Sequence, residues 1–198
     1  IMPALKAGCS VVIKPSSLTP VNTIRLAEII NANTIPNLVQ VVIGGRQIGE
    51  PLVQHQGVKK LVFTGSTGVG KHLAGLAVSD LKKVTLELGG NDAGIVLESA
   101  NVTEIAEKVF MTSFLNMGQT CACLKRLYVH RSNYDAMCEA LANIAAAQVV
   151  GNGMEEGVTF GPVQNEKQYE SVTAMIEQAK AAGAEVIAPA LPEGLNGY

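Results

Sequence analysis

The chain of 198 residues is 47% hydrophobic and 16% charged, apolar enough for a buried core and long enough for one large domain or parts of two. Fifteen basic against seventeen acidic residues leave a net charge of −2, which argues against a nucleic-acid binder. Its apolar runs are too short to span a bilayer and no signal peptide opens it. Its four cysteines lack paired spacing, so a reducing, cytoplasmic setting fits better than a disulfide framework. It starts at Ile1 rather than a methionine and stops at Tyr198 in an unfinished loop, as a piece of something longer would.

Ser10–Lys14 reads as a buried strand, with three β-branched residues in a row and Pro15 to end it. Thr19-Pro20 predicts a helix entry, threonine as cap and proline at the first helical position. Ile24, Ala27 and Ile30 then recur at helical spacing until Pro36 and Asn37 break the pattern. Leu38–Ile43 predicts a second strand, Ile48–Gln56 a short helix and Lys60–Thr64 a third strand. Val69–Val78 predicts another helix and Lys83–Leu88 a fourth strand. Strands alternating with helices predict a parallel α/β sheet.

The register changes after Gly89-Gly90, the best domain boundary. Gly94–Leu97 predicts a strand, and Asn101 precedes a helix with Val102, Ile105, Ala106 and Val109 on one face. Beyond a cysteine-bearing loop come a short strand, Leu127–His130, and an amphipathic helix marked by Tyr134, Met137, Cys138, Leu141 and Ile144. Asn165 predicts the cap of a last helix, with Tyr169, Val172, Ile176 and Ala179 on its apolar side and Gly183 as its stop.

Three stretches carry chemistry. Gly65-Ser-Thr-Gly-Val-Gly70 joins a strand to a helix, where glycines allow close approach and free N–H groups attract phosphate. Its GxxGxG spacing departs from GxGxxG, and a plain structural turn explains the glycines equally well. Gly65 to Lys71 also fits the opening of a P-loop, but His72 follows where serine or threonine would hold Mg²⁺. A nucleotide triphosphatase is therefore a second, weaker reading.

Cys9 and Cys138 read as small buried hydrophobes, whereas Cys121 sits in the polar loop Asn116–Arg126. With Cys123 it forms C-x-C, yet His130 alone does not complete a zinc site, so no metal is expected. Glu87 interrupts the apolar alternation of Val84, Leu86 and Leu88 near the end of a strand. There it is either a turn residue or a catalytic base. Lys14 ends its own strand, as a solvated surface lysine or a ligand contact.

Lys14-Pro15-Ser16, Phe63-Thr-Gly-Ser66 with Gly70, Glu87-Leu-Gly-Gly90 and Gly118-Gln-Thr-Cys121 together resemble the aldehyde dehydrogenase superfamily over essentially the whole chain. The resemblance implies a partial Rossmann-like coenzyme-binding domain over residues 1–88 and part of an α/β catalytic domain over 89–198. It implies that an aldehyde is oxidised to a carboxylic acid, with Cys121 as nucleophile through a thiohemiacetal and a thioester and Glu87 as general base. It assigns Lys14 to the adenosine ribose, Gly65, Ser66 and Gly70 to the pyrophosphate, and the Leu88 carbonyl to the nicotinamide amide.

Ser17 stands where NAD-preferring members often carry glutamate, so NADP is expected to serve at least as well as NAD, with Lys14 and Arg46 adding charge. The resemblance puts Phe114, Met117 and Thr120 beside Cys121 in the substrate tunnel, and Phe114 and Met117 imply an apolar wall without choosing the aldehyde. The resemblance further implies a homodimer or homotetramer for the complete protein, with no nucleic-acid or membrane partner. The oxyanion-hole asparagine, the Glu-x-Phe-Gly-Pro motif and the C-terminal arm of the family fall outside the chain, so the isolated segment is expected to be nearly inactive. A non-catalytic remnant that only pairs with other subunits is the third reading.

Overall fold

The computed structural model describes residues 1–187, 194, 197 and 198. They divide into two compact units, Ile1–Leu88 and Gly89–Tyr198. The first contains α1 (Met2–Lys6), β1 (Val11–Ile13), α2 (Val21–Asn33), β2 (Val39–Val41), α3 (Arg46–Gln54), β3 (Lys60–Thr64), α4 (Thr67–Val78) and β4 (Lys83–Glu87). Helix α1, which carries a proline in its first turn, is absent from the sequence reading.

Both strand pairs are parallel, as helical crossovers require. Val11 to Ile13 lies beside Val39 to Val41, and Lys60 to Thr64 beside Lys83 to Glu87. Among the described residues the ladders join the strands two by two, not as one continuous four-stranded sheet. Alternation of strand and helix reports direction, but it cannot tell which strand neighbours which.

Helix α2 corrects the predicted entry. Pro20, not Thr19, occupies the capping position, and no side chain caps the helix. The N–H of Thr19 is engaged in a turn with the carbonyl of Ser16 at 3.3 Å. The helix ends at Asn33, before Pro36, because the Asn33 and Thr34 side chains take the carbonyls of Ile29 and Ile30. Asn31 then binds both backbone groups of Val39, which ties α2 to β2.

Helix α4 starts two residues before the predicted Val69, because the Ser66 hydroxyl accepts from the Val69 N–H at 3.4 Å and draws Thr67 and Gly68 into the first turn. At the end of α3 the ammonium of Lys82 donates to the carbonyls of Val53 and His55. Ala27, Val39, Val53 and Ala77 are the buried apolar residues of this unit.

The second unit contains β5 (Asp92–Val96), α5 (Val102–Phe114), β6 (Leu124–Val129), α6 (Tyr134–Ala146) and α7 (Glu166–Ala181). Strands β5 and β6 are parallel. Asn101 caps α5 by accepting from Thr103 N–H, and Asn165 caps α7 by accepting from Gln168 N–H. Helix α7 stops before Gly183, whose φ is 89°.

Val96, Ala106 and Met137 form the buried centre, packed by Leu127, Val129, Leu141 and Ile144. The helical periodicity of α5 and α6 is thus the periodicity of one core. Two cysteines correct the sequence reading: Cys138 is only half-buried and Cys9 is exposed. The predicted apolar side of α7 is exposed as well. No helix among the described residues is long and apolar enough to cross a membrane.

Candidate active site

In the first unit Gly65, Ser66, Glu87 and Leu88 lie at the carboxyl end of the β3–β4 pair, the end where ligands collect in parallel α/β sheets, whereas Lys14 and Ser17 follow β1 of the other pair. Glu87 is the last residue of β4, opposite Thr64, and is exposed. Its carbonyl accepts from Gly65 N–H at 3.0 Å, which fastens the strand end to the glycine turn. A Cβ at Gly65 would come within 2.6 Å of the Phe63 ring, and one at Gly70 within 2.6 Å of the Leu88 side chain. Any side chain at either position would have to displace its neighbour, the Phe63 ring or the Leu88 side chain.

Above the turn, the first-turn N–H groups of α4 have no acceptor within the helix and present its positive end. A cradle of this shape, capped by Ser66, fits a pyrophosphate. The residues present thus fit a dinucleotide. Metal is a separate matter: among the described residues, no group of three or more His, Cys, Asp or Glu is arranged to hold an ion.

Lys14 is not a solvated surface lysine. It is half-buried, and its ammonium donates to the carbonyls of Gly44 at 2.8 Å and Pro15 at 3.0 Å. The Ser17 hydroxyl donates to the same Gly44 oxygen at 3.3 Å, so the two side chains converge on one carbonyl. Beyond Gly45, Arg46 opens α3 and pairs with Glu50, which also pairs with His72 at 2.7 Å. Arg46, and then His72, hold the Glu50 carboxyl below its ordinary value. Spacing of four on a helix hints at the Arg46–Glu50 pair. His72 comes from α4 and carries no such signal.

In the second unit the cysteine loop follows α5. Asn116, Met117 and Gly118 are all left-handed, with φ of 53°, 59° and 73°. Such values are natural for glycine, tolerated by asparagine and costly for Met117. The Leu115 carbonyl holds the turn, accepting from Gly118 N–H at 3.1 Å, the Thr120 hydroxyl at 3.2 Å and the Cys123 thiol at 3.5 Å. Gln119 takes part through both ends: its amide donates to Asn116 O, and its oxygen accepts from Gln164 N–H.

Cys121 is exposed at the end of this turn, while Cys123 is 2% exposed. The two sulfurs of the C-x-C therefore have different environments, one open to solvent and one packed. Phe114 is exposed, and Met117 and Thr120 are half-buried. Lys125, which sequence reasoning passed over, donates to the carbonyls of Thr120, Cys121 and Cys123.

The family model described as the aldehyde dehydrogenase family matches residues 1–198. The chain belongs to the aldehyde dehydrogenase family. It is 41% identical over 197 residues to glutarate-semialdehyde dehydrogenase of Pseudomonas aeruginosa, covering 98% of this chain and 41% of that protein. It is also 41% identical over 187 residues to the NADP-dependent succinate-semialdehyde dehydrogenase of Escherichia coli, covering 93% and 39%.

Among solved structures, an NADP-dependent Escherichia coli enzyme superposes with a TM-score of 0.93 at 39% identity, over 99% of this chain and 42% of that one. An aldehyde dehydrogenase from Pseudomonas syringae, bound to NAD⁺ and octanal, superposes with a TM-score of 0.91 at 31% identity, over 97% and 40%. The chain thus spans about two-fifths of the length of the curated aldehyde dehydrogenases it matches.

Proposed function

We propose that this chain carries the nucleophile, the general base and much of the dinucleotide cradle of an enzyme that oxidises a small-molecule aldehyde to its carboxylic acid. One observation carries the reading: Cys121 is exposed on a loop fixed by convergent hydrogen bonds, while Cys123, two residues on, is packed away. A reactive cysteine needs access and a defined direction, and a structural one needs neither.

The thiolate of Cys121 attacks the aldehyde carbon, and the carbonyl electrons move to oxygen to give a thiohemiacetal oxyanion. The N–H of Cys121 donates to that oxygen. Bound NAD(P) supplies the acceptor for the hydride that leaves as the oxyanion collapses to a thioester. Glu87 takes a proton from water, which adds to the thioester carbonyl and expels the Cys121 thiolate with the acid. Gly65, Ser66 and Gly70 would hold the pyrophosphate, Lys14 and Ser17 the adenosine ribose, and the Leu88 carbonyl the nicotinamide amide.

A serine at position 17 leaves room for a 2′-phosphate, so the reading includes NADP. It has support in the relative from Escherichia coli that is named for NADP. The complete protein is proposed to be cytoplasmic and to assemble as a homodimer or homotetramer. The rival P-loop reading loses ground at position 72, where the imidazole is bonded to Glu50 and no hydroxyl is available for Mg²⁺. Cys121→Ser in the intact protein tests the proposal. Aldehyde-dependent reduction of NAD(P) should vanish while the dinucleotide still binds, whereas unchanged turnover would exclude Cys121 as nucleophile.

A further inference from the structure

Lys125 is an extra residue in the β5–β6 ladder. Asp92 pairs with Leu124 and Ala93 with Arg126, so one step on β5 faces two on β6. A bulge of this kind redirects the side chain of the inserted residue. The redirected ammonium donates to three carbonyls, those of Thr120 at 3.1 Å, Cys121 at 2.9 Å and Cys123 at 3.0 Å. Asp92 lies 3.6 Å from it and balances its charge. Close approach here relies on Gly90, where a Cβ would sit 2.5 Å from the Asp92 carboxylate and 3.1 Å from the Cys121 carbonyl.

The three bonds have a directional consequence. In a trans peptide the N–H points away from the C=O of the same unit, and the described chain contains no cis peptide bond. With the Thr120 carbonyl held by Lys125 at 3.1 Å and by the Cys123 N–H at 3.3 Å, the Cys121 N–H is aimed to the opposite side. An ammonium also has only three protons to donate, and three carbonyls take them all. Lys125 is therefore not free to bind a substrate carboxylate. Its side chain, projecting from β6, is 32% exposed and is bonded into the loop that precedes the strand.

We propose that Lys125 is a positioning residue for aldehyde oxidation: it sets the peptide plane that presents the Cys121 N–H to the developing oxyanion. This rests on the reading of Cys121 as nucleophile, and the test separates the two. In the intact protein, Lys125→Met is compared with wild type in two reactions of the same sulfur. Aldehyde oxidation builds charge on oxygen. Alkylation by iodoacetamide, in which the thiolate displaces iodide, does not.

The expected result is a fall in kcat/KM for aldehyde of about tenfold or more, with Cys121 alkylation within about threefold of wild type and NAD(P) affinity unchanged. Lys125→Arg keeps the charge but spreads its donors over a planar fork, and it should give a smaller fall in the same ratio. If Lys125→Met does not fold, the arginine variant carries the test alone. Aldehyde oxidation at the wild-type rate would overturn the proposal. So would a parallel fall in both reactions, which would mark Lys125 as support for the loop and nothing more. Persistence of turnover in Cys121→Ser would instead overturn the reading beneath it.

Discussion

The carbonyl oxygen of Glu87 accepts a hydrogen bond from the N–H of Gly65 at 3.0 Å. The proposed general base and the proposed phosphate turn thus share a backbone bond, and a shift in one moves the other. Gly65→Ala puts a methyl group against the Phe63 ring, at 2.6 Å before relaxation. We expect NAD(P) affinity to fall by about tenfold or more, since small displacements in such sites have large effects. Isothermal titration of the variant with NADP checks this, and wild-type affinity would count against the cradle.

Cofactor choice turns on Ser17. Its hydroxyl and the Lys14 ammonium converge on the Gly44 carbonyl, so a carboxylate at position 17 would stand beside that site. Ser17→Glu should lower kcat/KM for NADP by about a hundredfold while leaving NAD the better cofactor, through repulsion of the 2′-phosphate. Steady-state kinetics with both cofactors decide it. A wild-type protein that already prefers NAD a hundredfold would remove the basis for the prediction.

The Lys82 side chain is 4% exposed, and its ammonium is satisfied by the Val53 and His55 carbonyls, with the Asp80 carboxylate at 3.4 Å. It closes the carboxyl end of α3, where orphan carbonyls and the helix dipole both favour a cation. Lys82→Met should destabilise the protein by about 1–3 kcal/mol, because the carbonyls lose their partner. Chemical denaturation gives the value, and no change in midpoint would refute it.

The Glu50 cluster predicts an acid-sensitive contact between α3 and α4. Hydrogen bonds from Arg46 and then His72 lower the Glu50 pKa from its ordinary 4.5. A carboxyl with a lowered folded-state value contributes stability that is complete above the ordinary value and is lost as pH falls through the lowered one. Wild type should therefore lose more Tm than Glu50→Gln as pH drops below 4.5. Parallel Tm curves for the two proteins would contradict the assignment.

Much of this was legible in the residues themselves. Val11-Val12-Ile13 and the Val/Leu alternation before Glu87 announce strands, and Ala106 and Met137 fall on the apolar faces that became the core. Pairing was not legible, because periodicity describes one strand at a time. Thr19 misled because the helix opens one residue later, with Pro20 in the capping position, and Cys9 because a small apolar residue need not be covered. Lys125 left no trace in the sequence. Its role arises from a bulge, which is a property of two strands together.

The central chemistry is tested most directly by trapping the acyl group. Glu87→Gln should slow release of the thioester more than its formation, so brief incubation with an aldehyde and NADP, followed by acid quench and peptide mass analysis, should reveal an acyl adduct on Cys121. Wild type should show far less. An adduct on another residue, or full steady turnover by Glu87→Gln with no adduct, would contradict the account.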